Sequence, residues 1–206
     1  MKKIKMKSQN EYIGDDSFIK LLEHYNCPMP LSIIKMRFAG AICSPNLELH
    51  PTDVISSFWP SGQEPRLETK KEAELFFKFF MGLWDKIFTE IKINKIRLEK
   101  ERSSNKEEIK ETCYRRYDEI EAGYVEGFWG GKENLKIPAY LAEIIDSLSD
   151  LANVYKQLAQ KAEKAEDIDT LKSSIQHTDK MVEKAIEFII ENSVLPRIED
   201  LKRQVN

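Results

Sequence analysis

The sequence is poor in the residues that build tight turns, cross-links and metal sites. Its 206 residues include 8 Gly and 8 Pro, too few for a β-sandwich or barrel that turns every dozen residues and for a series of Gly-rich nucleotide-binding loops. An all-α chain is what remains. The 3 cysteines, Cys27, Cys43 and Cys113, are odd in number, far apart and without a CxxC pair. They make neither a disulfide framework nor a zinc site and point to a reducing, cytoplasmic setting. Of the 3 histidines, His24 lies three residues before Cys27 but across the break at Pro28, and His50 and His177 have no paired ligand. Leu21, Leu47 and Ser174 stand three residues before the histidines, where a di-iron bundle needs glutamate. No metal, no cofactor and no catalytic residue is therefore expected.

Long apolar runs are missing too. The most apolar window, 75–88, is broken by Lys78, Asp85 and Lys86 and falls short of the ~20 residues that cross a bilayer. The opening MKKIKMKSQNEY has the positive start of a secretory signal but no apolar stretch after it. Neither a membrane partner nor export is expected. An excess of one charge is also absent: 32 Lys+Arg face 35 Asp+Glu for a net −3, which exerts no whole-molecule pull on nucleic acid or anionic lipid.

What the sequence does have is helix punctuation. Asp15-Asp16-Ser17 offers caps for a short helix ended by Asn26-Cys27-Pro28. The spacing of Leu31, Ile34, Phe38 and Ile42 predicts a second helix over 31–43, with Ala39-Gly40-Ala41 as a patch small enough for close packing. Pro51-Thr52-Asp53 starts a third. Thr69 and Glu72 have the spacing of a capping box. The helix they open, with Phe76, Phe77, Phe79, Phe80, Leu83 and Trp84, is apolar around most of its circumference and is expected to be central. The stretch 92–116 holds nine Lys or Arg and five Glu and reads as a solvated helical extension or loop, with Ser103-Ser104-Asn105 as a break. Helix then returns from Ile109 to Val125 and ends at the Gly130-Gly131 pair. Pro138 opens a long amphipathic helix, and a last one runs from about Asp169 to Leu195, where Pro196 should kink or end it. A short connection makes these two an antiparallel hairpin. The whole is an all-α multi-helix bundle with a long C-terminal antiparallel helical hairpin: a polar basic tail over 1–16, a core over 17–131, and a hairpin over 132–206 packed on it.

The run Arg37-Phe38-Ala39-Gly40-Ala41-Ile42-Cys43-Ser44-Pro45, then a Pro-started segment ending in Trp59, then the capped helix 69–91, resembles the YecA/YgfB-like family of poorly characterised bacterial proteins. Tyr124-Val125-Glu126-Gly127-Phe128-Trp129-Gly130-Gly131 looks like that family's W-x-x-GF-x-x-G element, with Tyr124 where Trp is usual. The resemblance spans 17–131 and implies a helical, non-enzymatic protein. Some members add a Cys-rich metal module. No cysteine follows Cys113 here, so that module is absent, and 92–116 and the hairpin are longer than the family pattern.

Packing motifs outnumber chemical ones, so the expected activity is binding another protein in a regulatory role. The candidate contact residues are Gly40 in its small patch, Phe128 and Trp129 between glycines, Arg115 and Arg116 in the basic stretch, and Leu148, Tyr155, Ile175 and Val182 on the hairpin face, which could also pair with a second copy. Two weaker alternatives are a ligand or enzymatic pocket under Phe128 and Trp129, and nucleic-acid association through 92–116, where interleaved glutamates oppose phosphate. Asp118, Glu119 and Glu121 are acid–base candidates without a positioned partner. Cys113, beside Arg115 and Arg116, is a candidate for a thiol of lowered pKa. Glu183, Glu187 and Glu191 line one helix face, a surface for a cation or a basic partner or simply a solvated side.

Overall fold

The computed structural model describes residues 11–132, 135–164 and 167–204. Lys2, Lys3, Lys5 and Lys7 of the expected basic tail lie outside them. Helix boundaries fall where capping chemistry puts them. Helix α1 (Asp15–His24) starts after Gly14, with Asp15 and Asp16 in its first turn rather than capping it. It ends at Asn26, whose positive φ lets the Cys27 N–H return to the Leu22 carbonyl. Next come α2 (Leu31–Cys43) and α3 (Pro51–Ser56). Helix α4 (Lys70–Lys92) is capped by Thr69, whose hydroxyl accepts from the Glu72 N–H at 3.1 Å. The Glu72 carboxylate reaches back one residue further than a capping box requires, to the Glu68 N–H.

Asn94 closes α4 as Asn26 closes α1, with the Lys95 N–H on the Glu90 carbonyl. Residues 95–104 then run without helix until Asn105, the predicted break, caps α5 (Lys106–Asp118) by accepting from the Glu108 N–H. The same rod continues through a π turn (Glu119–Val125) into α6 (Glu126–Trp129), where Gly130 takes the left-handed conformation expected of it. Helices α7 (Ala139–Lys164) and α8 (Ile168–Ile189) form the predicted hairpin, α8 beginning two residues after the described gap on an Asp167 cap. Pro196 does not end the last helix. A second π turn (Ile190–Val194) precedes it, and α9 (Leu195–Gln204) continues. The Asn192 carbonyl, which a residue with an N–H at position 196 would occupy, faces the Tyr140 hydroxyl at 3.4 Å. No strand occurs among the described residues.

The element at the centre is α2, not α4. Helix α2 touches α1, α3, α4, α6 and both π turns, whereas α4 packs on α2 and α3 and leaves Leu75 and Phe77 at 43% and 37% exposure. Size explains the exchange. Gly40 lies so close to the chain crossing it that a Cβ there would overlap the Tyr124 carbonyl, and one on Gly127 would overlap the Arg37 carbonyl. Helix α4 allows such an approach at Gly82, to the Glu11 backbone, and not to another helix. Helix α4 instead contributes Phe76 and Phe80 to an aromatic cluster with Phe18, Phe58 and Trp59. Trp59 donates its indole N–H to the Tyr25 carbonyl at 3.0 Å.

The hairpin packs on α5, and one continuous apolar core runs from Phe18 to Val194. Residues 17–131 therefore share their interior with the hairpin.

Candidate functional site

Across 92–116 the sequence left a solvated helix or a loop open, and the structure has both: a loop over 93–104, most of whose residues are exposed, and the helix α5 after it. Residues 93–104 form an extended strap laid across the bundle, with Ile96 and Ser103 buried. The acidic row on α8 holds its first half. Glu183 accepts from the Leu98 backbone N–H at 2.9 Å, Glu187 from the Asn94 side-chain amide at 2.9 Å, and Glu191 from the same amide at 3.3 Å. The partner of the glutamate row is a segment of its own chain.

Under the strap lies a buried charge cluster. Arg116 is 0% exposed; its Nη1 donates to Glu119 at 2.6 Å, its Nε to Asp179 at 3.1 Å, and its Nη2 to the Glu99 backbone carbonyl. Tyr155 adds its hydroxyl to the same Asp179 oxygen at 2.6 Å. Arg115, half-buried, is paired with the Glu99 carboxylate and lies 3.6 Å from Glu119. Burial works against the Arg116 cation, but Glu119 and Asp179 outweigh it and hold the guanidinium protonated. Cys113 beside this cluster departs from expectation. Burial, then Asp179 and Glu101, push its thiol up to about 12, and Arg116 only partly offsets them. The nearby cations do not activate it because burial disfavours the thiolate first and the carboxylates of Asp179 and Glu101 oppose Arg116.

Two clefts flank the strap where Glu99 crosses it. One, of about 430 Å³, is lined by Ile19, Leu31, Lys35, Met36, Arg97 and Leu98, among others. The other, of about 700 Å³, includes Ile33, Lys100, Arg102, Tyr114, Arg115 and Asp118. Ser32 and Glu99 line both, so the two adjoin: the larger is the groove between α2 and α5, the smaller extends it toward α1, and the Glu99–Arg115 pair stands at the larger one's edge. Tyr114 stands 47% exposed in its wall.

Two further arginines tie carbonyls rather than carboxylates. Arg37 gives Nε and Nη2 to the Ala122 carbonyl in the first π turn, at 2.8 and 2.6 Å, and Nη1 to Ser57. Arg197 gives its Nη groups to the Ser44 and Cys43 carbonyls at the end of α2, and its Nε to Ser193 in the second π turn. Each π turn interrupts the regular i→i−4 ladder, and each has an arginine on one of its carbonyls. A small cleft of about 120 Å³ lies beside Arg37, lined also by Asp53, Ser57, Glu126, Gly127 and Gly131.

The other sequence candidates distribute as follows. Leu148, Tyr155, Ile175 and Val182 are all 0% exposed; they form the inner seam of the hairpin on α5 and present no surface to a partner or a second copy. The outer hairpin face shows Tyr140, Met181 and Phe188 instead. Gly40 and Phe128 are likewise buried and Trp129 is half-buried; a cleft of about 420 Å³ opens beside Trp129, lined also by Glu126, Gly131 and Lys132. Arg116 is enclosed and Arg115 alone of the basic pair reaches the groove. Among the described residues no three His, Cys, Asp or Glu side chains converge to hold a metal, and no described helix is long and apolar enough to cross a membrane. The roles of Arg37, Asp179, Glu99 and Arg197 do not show in the sequence, since each has a partner 20 or more positions away or, for Glu99, 16.

No family model, curated protein or solved structure matches this chain.

Proposed function

We propose that this chain is a non-enzymatic, protein-binding regulatory factor, cytoplasmic and of the bacterial YecA/YgfB-like type, and that its contact surface is the groove between α2 and α5. One observation carries the reading: a concavity of about 700 Å³ combines an exposed Tyr114 and a half-exposed Arg115 with a rim of both charge signs. Tyrosine and arginine are the residue types that anchor protein interfaces, and mixed rim charge selects the partner. The family part of the reading rests on the packing of its two motif segments against each other at Gly40 and Gly127. Three free thiols fit a reducing compartment.

The test is a photo-crosslinking side chain placed at Tyr114 or, separately, at Met181 on the outer hairpin face, in cells of the source organism. Discrete adducts are expected from position 114 and not from 181. Adducts at 181 alone would move the interface to the hairpin, and none at either would refute protein binding.

The cleft at Arg37 supports a second reading, binding of a small zwitterion. Arg37 is nine-tenths buried and has no carboxylate within ion-pair distance among the described residues, while Glu126 and Asp53 stand on the same wall. A buried charge favours a counter-charge, and about 120 Å³ suits a small amino acid. Thermal-shift measurements with free amino acids, on the wild type and on Glu126→Gln, separate this from the groove. Nucleic-acid association is disfavoured because Arg115 and Arg116 already spend their charge on Glu99, Glu119 and Asp179.

A further inference from the structure

We infer that residues 93–104 are a built-in competitor for the groove: the strap occupies, within the chain, the seat of an extended partner segment that carries a carboxylate next to aliphatic residues. This deepens the reading of the groove as an interaction surface and rests on it.

The strap is bound as a peptide ligand is bound. It has no helix or sheet of its own. Its backbone is read at two points, the Leu98 N–H by Glu183 and the Glu99 carbonyl by Arg116. Two aliphatic side chains go inward, Ile96 buried and Leu98 packed against the core. Its acidic side chain meets the partly exposed arginine that α5 brings to the groove, Arg115. Backbone hydrogen bonds for affinity and side-chain seats for specificity are the general logic of extended-peptide docking. The groove also continues past the strap on both sides of Glu99, so a longer segment finds room that the strap leaves empty.

The occupant follows from this seat. A partner that replaces the strap must offer a carboxylate to Arg115, a carbonyl to Arg116 and an aliphatic residue just before them, the pattern of Ile96-Arg97-Leu98-Glu99. Tethering gives the strap an effective concentration on the order of millimolar, so a free segment competes poorly until the strap is weakened.

The probe is a fluorescent synthetic peptide of residues 93–104, added to the full chain and read by anisotropy. Glu99→Gln, which keeps the backbone carbonyl and the side-chain size, loosens the strap and is expected to tighten peptide binding about tenfold over wild type. Adding Arg115→Glu to that variant should abolish the gain. Leu98→Ala with Glu99→Gln is a stronger version, provided circular dichroism and a cooperative melt show it folded. A folded Glu99→Gln chain that binds no better than wild type overturns the inference, as does a gain that survives Arg115→Glu. The crosslink at Tyr114 keeps the two proposals apart. Equal adduct yields in wild type and Glu99→Gln refute the competing strap and leave the groove standing, whereas no adduct in either refutes the groove itself.

Discussion

Arg116 brings a full charge to a position without solvent, and its three separate partners make its loss costly. Arg116→Leu removes the cation while leaving Glu119 and Asp179 enclosed, which costs about 3–5 kcal/mol by the general behaviour of broken buried pairs. Urea denaturation measures it. Replacing the cluster together, Arg116→Leu with Glu119→Leu and Asp179→Leu, should recover much of that loss, because no orphaned charge is left. The thiols make a second prediction at this scale. Burial holds Cys43 up to about 11 and Cys113 up to about 12, so neither is alkylated in the native chain at pH 8, and half-buried Cys27 reacts first. Folded, these thiols keep their protons longer than they do unfolded, where ionisation starts near 9.0. Their contribution is intact below pH 9 and declines as pH rises toward 12, which a series of alkaline melts tests. Little of this residue-level chemistry was legible in advance. Arg116 and Asp179 are 63 positions apart, and no local pattern announces that a charge will be paired across such a span. The spacing of Glu183, Glu187 and Glu191 was visible, but their ligand lies some 85 to 97 positions earlier and has no periodicity to mark it.

Among the elements, the contact of α2 with the first π turn and α6 sets the geometry. Gly40→Ala and Gly127→Ala force two backbones apart and should each cost about 1–3 kcal/mol or more. Gly131→Ala meets open space and suffers only from its positive φ, a penalty of about 1–2 kcal/mol. A thermal-melt series ordered differently, with Gly131→Ala the worst, would show that conformation and not close approach governs these sites. Helix ends were the legible part at this scale, because Thr69, Asn105, Gly130 and Pro138 act through neighbours in sequence. The choice of central helix was not. Hydrophobicity favoured α4, and the structure favours α2, since closeness depends on small residues on both sides of a crossing and only one side shows in any single segment.

At the scale of the whole molecule, the shared core implies that the hairpin is part of the folding unit. Ile109, Cys113 and Arg116 of α5 are buried, and α5 packs on α7 and α8, so a chain ending at Lys132 should lose its cooperative melt and bind ANS. A sharp two-state melt of that fragment would instead make 17–131 an independent domain. The all-α class was legible from composition because turn residues are scarce, while the sharing of one interior rests on contacts between distant helices. The two π turns also have a consequence for register. Each is an α-helix accommodating one residue more than its ladder needs, and one residue turns an α-helix by about 100°. Deleting a single residue within 119–125 should therefore return the rod to a regular α-helix with Phe128 and Arg116 both on their present faces, whereas the same deletion within 106–116 would turn one of them off the core. Both turns abut α2, and melting the two kinds of deletion side by side tests whether the turn absorbs the extra residue.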